Sequence, residues 1–205
     1  MKRRAENEAG HGLNALVRRA RDGDRDAFGE LFLLYAPDVR RLLWSVIGPS
    51  DEIDDLVQEV FLQAFRALSG FRGESRFATW LHQIAVYVSY GHLRRLRRRA
   101  LPVAQERLAD LDAPEREGPH ARFLGGETLV RLQAVLDSIK PKKRVAFVLF
   151  AVKGFTAAEI AELVGAPVTT VKSRIWFARR ELRKKARRDP CLGPLLEESE
   201  ERERR

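Results

Sequence analysis

An all-α protein of two helical domains joined by a flexible linker is the fold this 205-residue chain predicts. Three observations lead there. Apolar residues recur three and four apart, the period of a helix with one buried face, from Leu13 to Arg99 and again from Leu129 to Arg188. No stretch of any length alternates apolar and polar residues as a strand does, and no internal repeat occurs. Between the two helical regions, residues 101–127 mix Pro102, Pro114, Gly118, Pro119, Gly125 and Gly126 with charges, the composition of a linker. An apolar fraction of 44% is enough for two cores.

The elements follow in order. Residues 1–12 hold a basic start without an apolar stretch behind it and are expected to be disordered. Leu13, Leu16, Val17 and Ala20 begin the helical spacing, "RDGD" makes a turn, and Ala27, Phe28, Leu31, Phe32, Tyr35, Val39, Leu42, Leu43 and Val46 continue it. "GPSDE" stops this pattern and offers Ser50 or Asp51 as the next N-cap. Ile53, Leu56, Val57, Val60, Phe61, Ala64, Phe65 and Leu68 then form the cleanest stripe, leaving Asp54, Asp55, Gln58, Glu59, Leu62 and Arg66 on other faces.

After the loop "SGFRGES", Phe77, Leu81, Ile84 and Val88 define another buried stripe, with Thr79, His82, Gln83, Val86, Tyr87 and Tyr90 outside it and an arginine run, Arg94 to Arg99, at its end. The first domain is therefore residues 13–100. Aromatics interleaved with polar groups and followed by arginines suit unstacked bases and phosphates. From this stretch alone, Trp80 and Tyr87 as core residues and the arginines as a frayed helix end is an equal reading.

The second domain, residues 128–188, opens with Leu129, Leu132, Val135, Leu136 and Ile139, and after Pro141 places Val145, Val148, Leu149 and Val152 on one face. Thr156 and Glu159 have capping-box spacing, Gly165 supplies a left-handed stop, and Pro167 suits the first position of a new helix. Two short helices around such a turn predict a helix-turn-helix, whose second helix enters the major groove. Its inward stripe is Val171, Ile175, Ala178 and Leu182. Thr169, Ser173, Trp176, Phe177 and Arg180 project away from that stripe, and for the two aromatics packing on a neighbouring helix is read ahead of base contact. A charged tail, residues 189–205, is expected to be disordered.

Composition narrows the function. A net charge of +9 points to a polyanionic partner, or more plainly to a solvated basic surface. Cys191 is the single cysteine, so neither an internal disulfide nor a cysteine zinc site is available. With no run of about 18 apolar residues, membrane insertion is not expected and the chain reads as cytoplasmic. No nucleophile and base pairing, glycine-rich phosphate loop or metal-ligand set stands out, so no enzyme, cofactor or metal is expected.

The stretches "DGDRDAFGELFLLYAPDVRRL", "DDLVQEVFLQAFRAL", "FRGESRFATWLHQIA" with "HLRR", and "TAAEIAELVGAPVTTVKSRI" occur in the order found in bacterial RNA polymerase sigma factors. The chain resembles the extracytoplasmic-function (ECF) group of the sigma-70 family from Leu13 to Arg188. The resemblance implies sigma region 2 followed by sigma region 4, core RNA polymerase and promoter DNA as partners, and an anti-sigma factor as a common further one. By position, Asp55, Gln58 and Glu59 would bind core polymerase. Phe71, Arg72 and Ser75 would surround a flipped base of the minus-ten element, with Thr79, Trp80, His82, Gln83, Tyr87, Arg94 and Arg95 completing that surface. Thr169, Thr170, Lys172, Ser173, Arg174, Trp176 and Arg179 would read the minus-thirty-five element. Many relatives carry arginine at the position of Phe177, and Arg-Asn and Asp where Val86, Tyr87 and Gly91 stand, so promoter preference does not carry over. The alternative, a response-regulator type of transcription factor with a C-terminal helix-turn-helix, requires an α/β receiver whose strands the sequence lacks.

Overall fold

The computed structural model describes residues 2–103 and 126–194, with side chains at 12–99, 128 and 130–194. The linker expected over 101–127 lies outside them except at 101–103 and 126–127, which are helical. Of the tail expected to be disordered over 189–205, residues 189–194 are ordered: Asp189 pairs with Arg131 and accepts the Cys191 and Leu192 N–H groups, and Leu192 is buried. Every regular element among the described residues is helical. Two compact units divide the chain, Met1–Ser89 and Tyr90–Arg205.

In the first unit, α1 (Lys2–Arg21) and α2 (Arg25–Ile47) are joined by a turn in which Gly23 takes φ 101 and the Asp24 carboxylate accepts the Ala27 N–H at 3.0 Å as an N-cap. α1 begins at Lys2, so it includes residues 2–12, which were expected to be disordered. No proline interrupts that stretch, and its Ala, Lys, Arg and Glu are good helix formers that need no apolar stripe. Pro37 lies inside α2 without ending it. The carbonyl its missing N–H would have bonded is that of Leu33, a residue 75% exposed, so water can serve it.

α3 (Ile53–Ala67) starts one residue later than a cap at Asp51 and two later than a cap at Ser50 would give: Glu52 is the N-cap, and Ser50 Oγ instead accepts the Glu52 N–H within the preceding turn. A single 3-10 turn, Leu68–Gly70, leads to α4 (Phe77–Val103), whose residues from Tyr90 belong to the second unit and whose residues to Ser89 belong to this one. The core of this unit joins Leu31, Leu42 and Val46 of α2, Leu56, Val60 and Ala64 of α3, and Phe77, Leu81 and Ala85 of α4. Val86 is fully buried although its position faces away from the stripe of Phe77, Leu81 and Val88. A single-stripe reading assumes one packing neighbour, and α4 is covered on more than one side there.

In the second unit, α5 (Gly126–Asp137), α6 (Pro141–Ala151), α7 (Ala157–Val164) and α8 (Val168–Ala186) enclose Ile139, Val145, Leu149, Ile160, Leu163, Val171, Ile175 and Ala178. Leu132, in the middle of α5, and Val152, the C-cap of α6, were expected on buried faces and are exposed. Buried Arg144 is neutralised by an ion pair with Asp137.

Candidate nucleic-acid interface and docking face

Because α3 spends Ile53, Leu56, Val57, Val60 and Ala64 on the core, its opposite side faces away from the core, and residues three and four apart meet there. Asp55, Gln58, Glu59 and Leu62 accordingly share one face. They border a groove of about 700 Å³ whose apolar side comes from Phe28 and Phe32 of α2 and Phe61 and Phe65 of α3. The rings interlock, with Phe28 edge-on to Phe65 at 5.0 Å and Phe32 to Phe61 at 4.7 Å. Leu62 is 49% and Phe65 46% exposed, so this apolar strip lies open beside two carboxylates. Such a surface suits an amphipathic helix bearing cationic groups at its edges. Asp54, adjacent in sequence, points elsewhere and pairs with Arg40. Among the described residues no group of three or more His, Cys, Asp or Glu side chains is placed to hold a metal ion.

The loop before α4 and the first turns of that helix form a chain of rings. Phe71 packs on Trp80 at 5.1 Å and on Phe77 at 5.9 Å, and Phe77 meets Tyr35 at 5.2 Å. Phe71 and Trp80 are therefore brought together, each half-buried, with Arg72 and Ser75 exposed beside them. Thr79 and Gln83 are half-buried as well, and Tyr87 is open to solvent. Arg94 and Arg95 are exposed farther along α4. His82 departs from expectation: its Nε2 lies 2.8 Å from the Asp38 carboxylate of α2, and the side chain is largely covered. The expected DNA ligand is thus engaged in holding α4 to α2. Asp38 also accepts from Arg41 at 3.1 Å. Burial pushes the Asp38 carboxyl up, but the hydrogen bonds from His82 and Arg41 outweigh it and hold the group below its ordinary range.

In the second unit the expected turn is present. Thr156 Oγ1 accepts the Glu159 N–H at 3.3 Å while the Glu159 carboxylate accepts the Thr156 N–H at 2.8 Å, a complete capping box. Gly165 takes φ 58 and ψ 47 to end α7, and Pro167 is the N-cap of α8, one residue before its expected place. Val171, Ile175 and Ala178 are buried, which leaves Thr169, Lys172, Ser173 and Arg179 exposed and Thr170 and Arg174 half-buried. Arg179 bends over the Phe150 ring at 5.2 Å. Trp176 and Phe177 pack on each other edge-to-face and stay 55% and 44% exposed; Phe177 also lies under Lys143 of the neighbouring α6, whereas Trp176 meets Arg180 of its own helix, which corrects the expectation of packing on a neighbouring helix for Trp176.

Residues 31–99 match Sigma-70 region 2, and residues 129–182 match Sigma-70, region 4. RNA polymerase sigma-H factor of Pseudomonas aeruginosa is 34% identical over 193 residues, covering 90% of this chain and 95% of that protein. ECF RNA polymerase sigma-E factor of Escherichia coli K12 is 34% identical over 196 residues, covering 88% and 94%. This chain belongs to the ECF group of the sigma-70 family. As a sigma factor it binds core RNA polymerase and directs it to promoters in transcription initiation. The region 2 match occupies the part of the chain where a response regulator would carry its receiver domain, which sets that alternative aside.

Solved structures agree on the fold. CnrH in complex with the cytosolic domain of CnrY has a TM-score of 0.56 at 27% identity, covering 82% of this chain and 92% of CnrH. RpoE of Bartonella quintana in complex with the anti-sigma factor NepR has a TM-score of 0.55 at 25% identity, covering 79% and 98%. Among the described residues of this sigma factor no helix is long and apolar enough to cross a membrane. Two features escaped the sequence. Phe28 and Phe32 read as ordinary core, and the edge-to-face pairing of Trp176 with Phe177 was not foreseen. The exposed Leu62 in an otherwise polar face was the one local signal of the groove.

Proposed function

We propose that this sigma factor docks on core polymerase through the α2 and α3 groove, with Asp55, Gln58 and Glu59 taking cationic side chains and Leu62 and Phe65 taking apolar ones. The single observation that carries this reading is the shared face on which the three polar residues and the two exposed apolar ones border one groove. Residues 13–100 act as the minus-ten domain and 128–188 as the minus-thirty-five domain, with 101–127 as the tether between them. In the first, Phe71 and Trp80 offer stacking surface with Arg72 and Ser75 alongside, while Tyr87, Arg94 and Arg95 extend it along α4. In the second, Thr169, Lys172, Ser173 and Arg174 read the minus-thirty-five element. The protein works in the cytoplasm, carries out no catalysis of its own, and is held in check by an anti-sigma factor, as its structural relatives are bound by CnrY and NepR.

Run-off transcription with purified core polymerase and a promoter library tests the whole reading. Transcripts that depend on the added protein, and that fall when Asp55 and Glu59 are both changed to lysine, are the expected result. Undiminished transcription with that double variant would reject the docking face.

A further inference from the structure

An aromatic pair occupies the middle of the solvent side of α8. With Val171, Ile175 and Ala178 turned inward, a step of 100° per residue places Trp176 and Phe177 on either side of the outward direction, between Ser173 and Arg180. They are 55% and 44% exposed. Their ring centroids are 4.9 Å apart at 82°, and each ring is braced by a cation on its other side. The Arg180 guanidinium lies 5.4 Å from Trp176, and Lys143 of α6 lies 5.1 Å from Phe177. Lys143 is also ion-paired with Glu181, which removes the acid nearest to this face from any conflict with phosphates. Two bulky rings thus lie in contact with each other and open to water on a strongly cationic helix.

Such a pair gains by being covered, and the surrounding Lys172, Arg174 and Arg180 favour a polyanion as the cover. In the major groove the edges of the base pairs are polar, with one apolar exception, the C5-methyl group of thymine. We infer that Trp176 and Phe177 form a wedge that reads thymine methyls at one or two positions of the minus-thirty-five element. The inference rests on the assignment of α8 to that element. Phe177 is then a specificity residue in its own right, with Lys143 and Trp176 positioning it.

The test uses the full chain assembled with bacterial core polymerase and a promoter library randomised across the minus-thirty-five element. The wild-type protein should select thymine at one or two positions. Replacing those thymines by deoxyuridine, which removes the methyl alone, should weaken competition by about fourfold per methyl, the effect of one buried carbon. F177A and W176A should lose the thymine preference and bind both bases alike, F177L should keep part of it, and F177R should shift selection toward guanine. Circular dichroism of each variant, at an exposed site, verifies the fold. If deoxyuridine and thymine compete equally everywhere while K172A and S173A still alter the selection, the wedge is wrong and the assignment of α8 stands. If none of these variants alters the selection, the assignment of α8 fails and takes the wedge with it.

Discussion

His82 and Asp38 are 44 residues apart in sequence and 2.8 Å apart in space, and the contact changes what each residue is for. The Asp38 carboxyl is held below its ordinary range, so its contribution to stability is complete above about pH 3.9, the unfolded value, and is lost as pH falls toward the folded one. Thermal melts should therefore show a smaller loss of midpoint between about pH 6 and about pH 3 for D38N than for the wild type. Thr156 makes a second prediction at this scale. Removing its hydroxyl in T156A deletes half of the capping box and should cost about 1 kcal/mol in urea unfolding of the C-terminal unit, while T156S keeps the cap. The box was readable in the sequence because both partners lie within one turn. The Asp38 contact was not, since nothing local to His82 points to α2.

Among the elements, α3 was the most legible and α4 the least. The apolar stripe of α3 goes into the core, and the residues left over on its other side are the docking candidates. Phe65 belongs by spacing to the stripe but stands at its edge, against Phe28 and open to water. Changing Leu62 to Asp together with Phe65 to Ser should therefore weaken association with core polymerase by about 30-fold or more, as the loss of an interface anchor does, while leaving the melting midpoint within a few degrees. Competition against a labelled sigma factor for core polymerase measures it. α8 has its own signature. Duplex affinity should fall by about 0.9 log unit per neutralised phosphate for each decade of salt, measured by fluorescence anisotropy across a salt series, and a flat response would reject a phosphate-gripping role for this helix.

For the molecule as a whole, the magnitudes argue that the free protein does not open duplex DNA. Stacking one base on an aromatic returns about 1–3 kcal/mol, whereas each base-pair step lost costs about 1.4 kcal/mol. One captured base offsets only a step or two, so melting needs the further strand contacts of core polymerase. Permanganate footprinting of promoter DNA should find reactive thymines with the assembled polymerase and none with this protein alone.

Helices, caps and the order of the four motifs were all present in the linear chain, because periodicity, N-caps and left-handed stops involve residues within a few positions of each other. Family membership and the division into region 2 and region 4 follow from that local information. Folding settled the rest: Val86 buried, Phe65 exposed, His82 taken by Asp38, and Trp176 leaning on Phe177 rather than on a neighbouring helix. A helical wheel gives a side chain's direction relative to one partner, whereas exposure depends on every element packed around it.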